Sequence, residues 1–106
     1  MGKIFKRTLP TMKTYIAGQI TGLPIEQARA AFSEAECRLK SAGMEVVNPM
    51  NLPHDHDKSW ESYMKECIIA LMDCDCIYML EGWERSEGAS FEFMIAEKFK
   101  LSILTQ

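Results

Sequence analysis

No stretch of this sequence is apolar for long enough to span a bilayer, and its N-terminus lacks the apolar centre of a signal peptide. Neither membrane insertion nor export is therefore expected. The expected compartment is the cytoplasm, where the four cysteines stand as reduced thiols. Dense basic runs are missing too. The Lys and Arg residues are scattered and the net charge is −3, which argues against a dedicated duplex-DNA binder. Neither GxGxxG nor Gly-Lys-Ser/Thr occurs, so the standard dinucleotide and Walker phosphate loops are excluded. No second thiol pair accompanies Cys74-Asp75-Cys76 at zinc-site spacing. On a strand both thiols would point one way and Asp75 the other, so they read as buried reduced cysteines. His54-Asp55-His56-Asp57 has no matched third ligand nearby and reads as a solvated loop. No metal and no cofactor are expected. Linkers, internal repeats and low-complexity tracts are also absent.

What remains is an ordinary globular composition, 47% hydrophobic and 25% charged, in 106 residues. That is enough for one domain with a modest core. Residues 1–11 carry Lys3, Lys6, Arg7 and Pro10 without a clear period and read as an extension. Met12 is a natural start for a domain over 12–106. Thr14-Tyr15-Ile16-Ala17 reads as a short apolar strand. Ile25 to Ala42 reads as a helix, because Ile25, Ala28, Phe32, Ala35, Leu39 and Ala42 recur every three or four residues. Gly43 stops it. Met44–Val47 is a second strand, closed by Asn48-Pro49. Ser59 caps a second helix with Trp60, Met64, Cys67, Ile68, Leu71 and Met72 on its apolar face. A strand over Asp75–Leu80, a helix to about Phe99 and a strand over Leu101–Leu104 complete the pattern β-α-β-α-β-α-β. It predicts an α/β fold with a four-stranded parallel sheet, strand order 2-1-3-4, and helices on both faces.

Two loops carry the candidate chemistry. The first, Gly18-Gln19-Ile20-Thr21-Gly22, follows the first strand and precedes a helix. Such loops either cradle a phosphate or sugar through backbone N–H groups or form a tight turn with no ligand. The second runs from Trp83 to Glu92. Ser86 is placed to cap the third helix, and Gly88 permits close approach. Glu92 shares a helical stripe with Ile95 and Phe99, so it is expected to face inward. An inward carboxylate near a helix start is a candidate nucleophile or acid/base, although an ion pair would also explain it. In the order 2-1-3-4 the C-terminal ends of strands 1 and 3 are neighbours at the topological switch point. The expected crevice therefore gathers Tyr15, Gly18, Gln19, Thr21, Gly22, Asp75, Trp83, Ser86, Gly88 and Glu92.

The segments Tyr15-Ile16-Ala17-Gly18-Gln19-Ile20-Thr21-Gly22, Val46-Val47-Asn48-Pro49, Trp60 with Tyr63-Met64, Cys74-Asp75, and Gly82-Trp83-Glu84-Arg85-Ser86-Glu87-Gly88-Ala89 with Glu92 resemble the DUF4406 family. That family is related to nucleoside 2-deoxyribosyltransferases and nucleotide N-glycosidases. The resemblance covers about Met12 to Leu104. It implies a flavodoxin-like three-layer sandwich and N-glycosidic chemistry on a nucleoside or nucleotide. It also implies that Glu92 corresponds to the glutamate that attacks the anomeric carbon. Asp75 corresponds to the aspartate at the end of a central strand, Tyr15 to the first-strand tyrosine, and Ser86 to the serine that contacts a 5′-phosphate in the N-glycosidases. The chain departs from these relatives in three ways. Thr21 stands where the N-glycosidases carry an arginine, the loop between Asp75 and Glu92 is short, and a fifth strand is missing. The first bears on selectivity for a monophosphate, and the other two imply a pocket that is more open or is completed by another subunit.

The expected mechanism is a double displacement at C1′. Glu92 attacks, the base leaves with a proton from Asp75 or a water, and water or a second base resolves the glycosyl-enzyme. Trp83 or Tyr15 stacks on the base or sugar, while Ser86, Gln19 and backbone N–H groups hold the 5′ end. The rival expectations are a catalytically silent nucleotide-binding or regulatory module, such as a phage protein would carry, and a small assembly protein that keeps only the fold. Apolar surface is expected around Trp60, Tyr63 and Met64, and with it a homodimer or larger oligomer.

Overall fold

The computed structural model describes residues 11–53 and 59–106. Nearly all of the N-terminal extension and the whole His54–Asp57 segment lie outside the described residues. The elements run β1 (Lys13–Ala17), α1 (Ile25–Ser41), β2 (Glu45–Val47), α2 (Trp60–Met72), β3 (Cys76–Met79), α3 (Glu87–Lys98) and β4 (Ser102–Thr105). The strands form one parallel sheet in the order β2-β1-β3-β4. Two short 3₁₀ turns, Pro49–Asn51 and Trp83–Arg85, were not foreseen from the sequence. Each follows a strand and is too short to carry a hydrophobic period.

Register explains the layers. Val47, Tyr15, Ile77 and Ile103 lie side by side across the four strands and so share one face of the sheet. They pack with Cys67 and Leu71 of α2 and with Ala89 and Ala96 of α3. Ile16, one residue along β1, points the other way and packs with Phe32, Ala35 and Leu39 of α1. The result is a three-layer sandwich with α1 on one face and α2 and α3 on the other. As a central strand covered from both sides, β1 is buried from Thr14 through Ala17.

Helix ends follow the sequence signals. Gly43 takes φ +90° just beyond the Ala42 cap. The Met44 N–H returns to the Leu39 carbonyl and the Gly43 N–H to that of Lys40, which closes α1 as a Schellman motif. Ser59 Oγ accepts from the Ser62 N–H at the start of α2, and Ser86 Oγ from the Ala89 N–H at the start of α3. Beyond β2, buried Asn48 ties the chain to α1. Its Nδ2 donates to Glu36 Oε1 at 3.1 Å while its Oδ1 accepts from the Met50 N–H. Among the described residues, no helix is long and apolar enough to cross a membrane.

Candidate functional site

A cavity of about 590 Å³ opens at the C-terminal end of β1, between the loop that follows it and the starts of α2 and α3, within the usual range for small-ligand sites. β1 supplies Tyr15 and the loop after it supplies Gly18 and Thr21. The start of α3 supplies Ser86, Gly88 and Glu92. Tyr15 and Glu92 form its polar floor. The Tyr15 hydroxyl donates to Glu92 Oε2 at 2.6 Å, and both side chains are buried.

Glu92 faces inward because of where it falls on α3. The buried stripe of this helix is Ala89, Glu92 and Ala96. The two alanines let α3 approach the sheet closely, and the carboxylate fills the gap between them. The stripe expected from Glu92, Ile95 and Phe99 is therefore shifted. Ile95 is half-buried, and Phe99 caps the helix in solvent. Burial raises the Glu92 carboxyl to about 7, and the Tyr15 hydrogen bond pulls it in the opposite direction. Tyr15 itself is raised well above the ordinary phenol range, first by burial and then by the nearby Glu92 charge. It therefore stays protonated and acts as a donor.

Asp75 requires a correction. It lies at the entrance to β3, where its Oδ2 accepts from the Lys13 N–H at 2.9 Å and its own N–H donates to the Lys13 carbonyl. In a parallel sheet, the residue that enters a strand sits on the edge opposite the C-terminal crevice. Asp75 is accordingly absent from the cavity lining that holds Tyr15 and Glu92. Trp83 also departs from expectation. It stacks on Phe93 with ring centroids 4.7 Å apart and packs on the core beneath α2 and α3, away from the cavity lining. Gln19 folds back on its own loop, its Nε2 donating to the Thr21 carbonyl, and faces a smaller cavity of about 140 Å³. Gly22 is exposed in the same loop, at φ +92°. Gly18 lines the main cavity, but packing explains why it is glycine. A Cβ there would sit 2.7 Å from Leu80 Cδ1.

Other lining residues were not assigned to the site from sequence. Trp60, Tyr63, Met64 and Cys67 project from the first turns of α2 into the cavity. The apolar surface expected around Trp60, Tyr63 and Met64 is thus largely a cavity wall. Met64 is buried and Tyr63 half-buried, and only Trp60 stays substantially exposed. Their i, i+3, i+4, i+7 spacing was legible, but it signals core and pocket wall alike. Arg85 lines both cavities. Its position just before the Ser86 cap was the available signal. Among the described residues, no group of three or more His, Cys, Asp or Glu side chains is arranged to hold a metal ion.

Two solved structures share this fold. A 2-deoxyribosyltransferase from the psychrotolerant bacterium Bacillus psychrosaccharolyticus aligns over 88% of this chain and 70% of its own, with TM-score 0.67 and 20% identity. The 2-deoxyribosyltransferase of Leishmania mexicana aligns over 89% of this chain, with the same TM-score and identity. The chain spans 63% of the length of that second protein. No curated protein matches in sequence. The family profile described as a domain of unknown function, DUF4406, matches residues 12–105, and the chain belongs to that family.

Proposed function

We propose that this protein cleaves or exchanges the N-glycosidic bond of a nucleoside or nucleotide, with Glu92 as the nucleophile. The observation that carries this reading is the buried Tyr15–Glu92 pair on the floor of a ligand-sized cavity. Similarity to two 2-deoxyribosyltransferases, whose names state that reaction, supports it.

The geometry suits the chemistry. Tyr15 holds Oε2 and leaves Oε1 to attack C1′. As the C1′–O bond forms, the C1′–N bond breaks and its electron pair leaves with the base. The base takes its proton from water entering the open cavity, since Asp75 lies at the far edge. Water or a second base then attacks C1′ and returns the Glu92 carboxylate. A carboxyl near 7 is poised between its two protonation states at neutral pH, which suits a group that must be ionised to attack. Trp60 and Tyr63 offer an aromatic wall for the base. Arg85 and Ser86 flank the same cavity and would hold the 5′ end, Arg85 standing in for the cation that Thr21 does not provide.

The alternative is a nucleotide-binding module without turnover. Its support is the placement of Asp75, which leaves the cavity without the aspartate that the enzyme relatives imply. A panel of nucleosides and 5′-nucleotides, followed by chromatography for free base, separates the two. Release supports the catalytic reading, and thermal stabilisation without release supports the binding module. The reading includes a homodimer or larger assembly, for which exposed Ile69, Phe91, Met94 and Phe99 offer apolar surface. A monomer by light scattering at tens of micromolar would count against it.

A further inference from the structure

The backbone of α3 does not require a glycine at Gly88. The residue lies in the first turn of the helix and is not among those at positive φ. In such a place alanine is the better helix former. Space supplies the reason instead. A Cβ on Gly88 would lie 3.1 Å from Met64 Sδ and 3.7 Å from Met64 Cε. The Met64 thioether of α2 is therefore laid directly on the backbone of α3, and Met64 is only 5% exposed. Both residues line the main cavity. Trp60 and Met64 are four residues apart and share a face of α2, as Gly88 and Glu92 do on α3. The contact thus closes the wall between Trp60 and the helix turn just before Glu92.

Other parts of the lining are fixed. Tyr15, Ile16 and Phe32 are buried in the cores on the two faces of the sheet. Met64 is unbranched and polarisable, the side chain best able to change shape without unfolding its surroundings. Its freedom runs one way. It already touches the backbone at Gly88 and cannot withdraw toward α3, so the space open to it is the cavity. We propose that Met64, seated on Gly88, is a specificity-determining residue that sets the width of the cavity and so the largest ring system the site admits. The missing side chain of Gly88 lets the thioether lie back and leaves room for a fused two-ring base, a purine. One methyl group on Gly88 would drive the thioether inward and favour a single ring. This rests on the proposed function only in placing a base against α2.

The test is Gly88→Ala, which adds that methyl group and raises helix propensity, so the variant should fold. Its crystal structure should show Met64 Sδ moved into the cavity. Adenosine and cytidine serve as the two-ring and one-ring probes, read by calorimetric titration. Gly88→Ala should weaken adenosine roughly tenfold, the usual effect of one methyl group in an apolar pocket, and leave cytidine within about threefold of wild type. Combining it with Met64→Ala should recover adenosine, because the shortened side chain no longer has to move. Undiminished adenosine binding, equal weakening of the two nucleosides, or no recovery in the double variant would overturn the assignment. So would a structure in which α3 moves off α2 and Met64 keeps its place. If neither nucleoside binds the wild type, the proposed function fails and the structures decide alone, Met64 displaced into the cavity upholding the wall. Equal release of adenine by wild type and Gly88→Ala, with Met64 unmoved, does the reverse.

Discussion

Tyr15 on the central strand and Glu92 on the last helix lie 77 residues apart in the chain, yet their side-chain oxygens stand 2.6 Å apart in the buried floor of the cavity. Parallel strand order makes this meeting possible. β1 and β3 are neighbours, and α3 leaves β3 to pack back across β1. A carboxylate placed so deliberately out of water carries a cost that an apolar side chain would not. If the site is catalytic, Glu92→Gln should reduce base release to background while preserving fold and ligand binding. The amide can still accept from Tyr15 but cannot form a glycosyl ester. Chromatographic release beside far-UV circular dichroism checks this, and equal release from both proteins would remove Glu92 from the mechanism.

The same carboxyl should leave a mark on stability. It titrates near 7 in the fold against 4.5 ordinarily, so the folded chain holds its proton over a range in which the unfolded chain has released it. The contribution is fully present below pH 4.5 and is lost as pH rises through 7. The full difference is about 3 kcal/mol. Glu92→Gln has no proton to lose. It should therefore gain on the wild type between pH 5 and 8, read as the difference in denaturation midpoints at the two values. A constant gap across that range would mean that Glu92 titrates normally.

Most of the fold was legible because periodicity and caps agree with it. The α1 face, the Gly43 stop, the Ser59 and Ser86 caps and the order 2-1-3-4 all follow from local chemistry and the right-handed crossover. Glu92 was legible as an inward carboxylate because a helix period fixes its face. Asp75 was misplaced because it opens a strand, and residues that open and close a parallel strand lie at opposite edges of the sheet. Trp83 was misread because a tryptophan in a βα loop looks the same whether it stacks on a ligand or on Phe93. Cys67 and Tyr63 were hidden within an apolar helical face. Only tertiary placement shows that the first turns of α2 overhang the crevice and the later ones do not.

Asp75 yields a prediction opposite to that of an acid in the mechanism. Asp75→Asn should leave any base release and its pH profile unchanged, because the side chain sits at the wrong edge. It should lower stability modestly, by about 1 kcal/mol, as a charged acceptor for the Lys13 N–H becomes a neutral one. Thermal melts beside release assays separate the two effects. A loss of turnover without a loss of stability would restore Asp75 to the chemistry.

Arg85 is the sharpest test of what the cavity holds. Its guanidinium folds back over Gly82, where a Cβ would lie 2.5 Å from Nη2, and it forms a wall shared by both cavities. If it meets the 5′-phosphate of a nucleotide, Arg85→Gln should weaken the monophosphate and leave the parent nucleoside unchanged. A charged hydrogen bond is worth about 1.5–3 kcal/mol, but Arg85 is exposed and solvent screens it. A loss of about 1 kcal/mol is therefore expected, roughly fivefold in Kd. The wild-type preference for the monophosphate should also shrink as salt rises from about 50 to 500 mM, where screening shortens to a few ångströms. Ser86→Ala is a poorer probe, because Ser86 Oγ already caps α3 and its removal costs about 1 kcal/mol of stability before any ligand is bound. Calorimetric titration of nucleoside and monophosphate into both proteins gives the answer. Equal weakening of the two ligands would show that Arg85 only braces the loop over Gly82. No weakening of either would place the 5′ end elsewhere in the cavity.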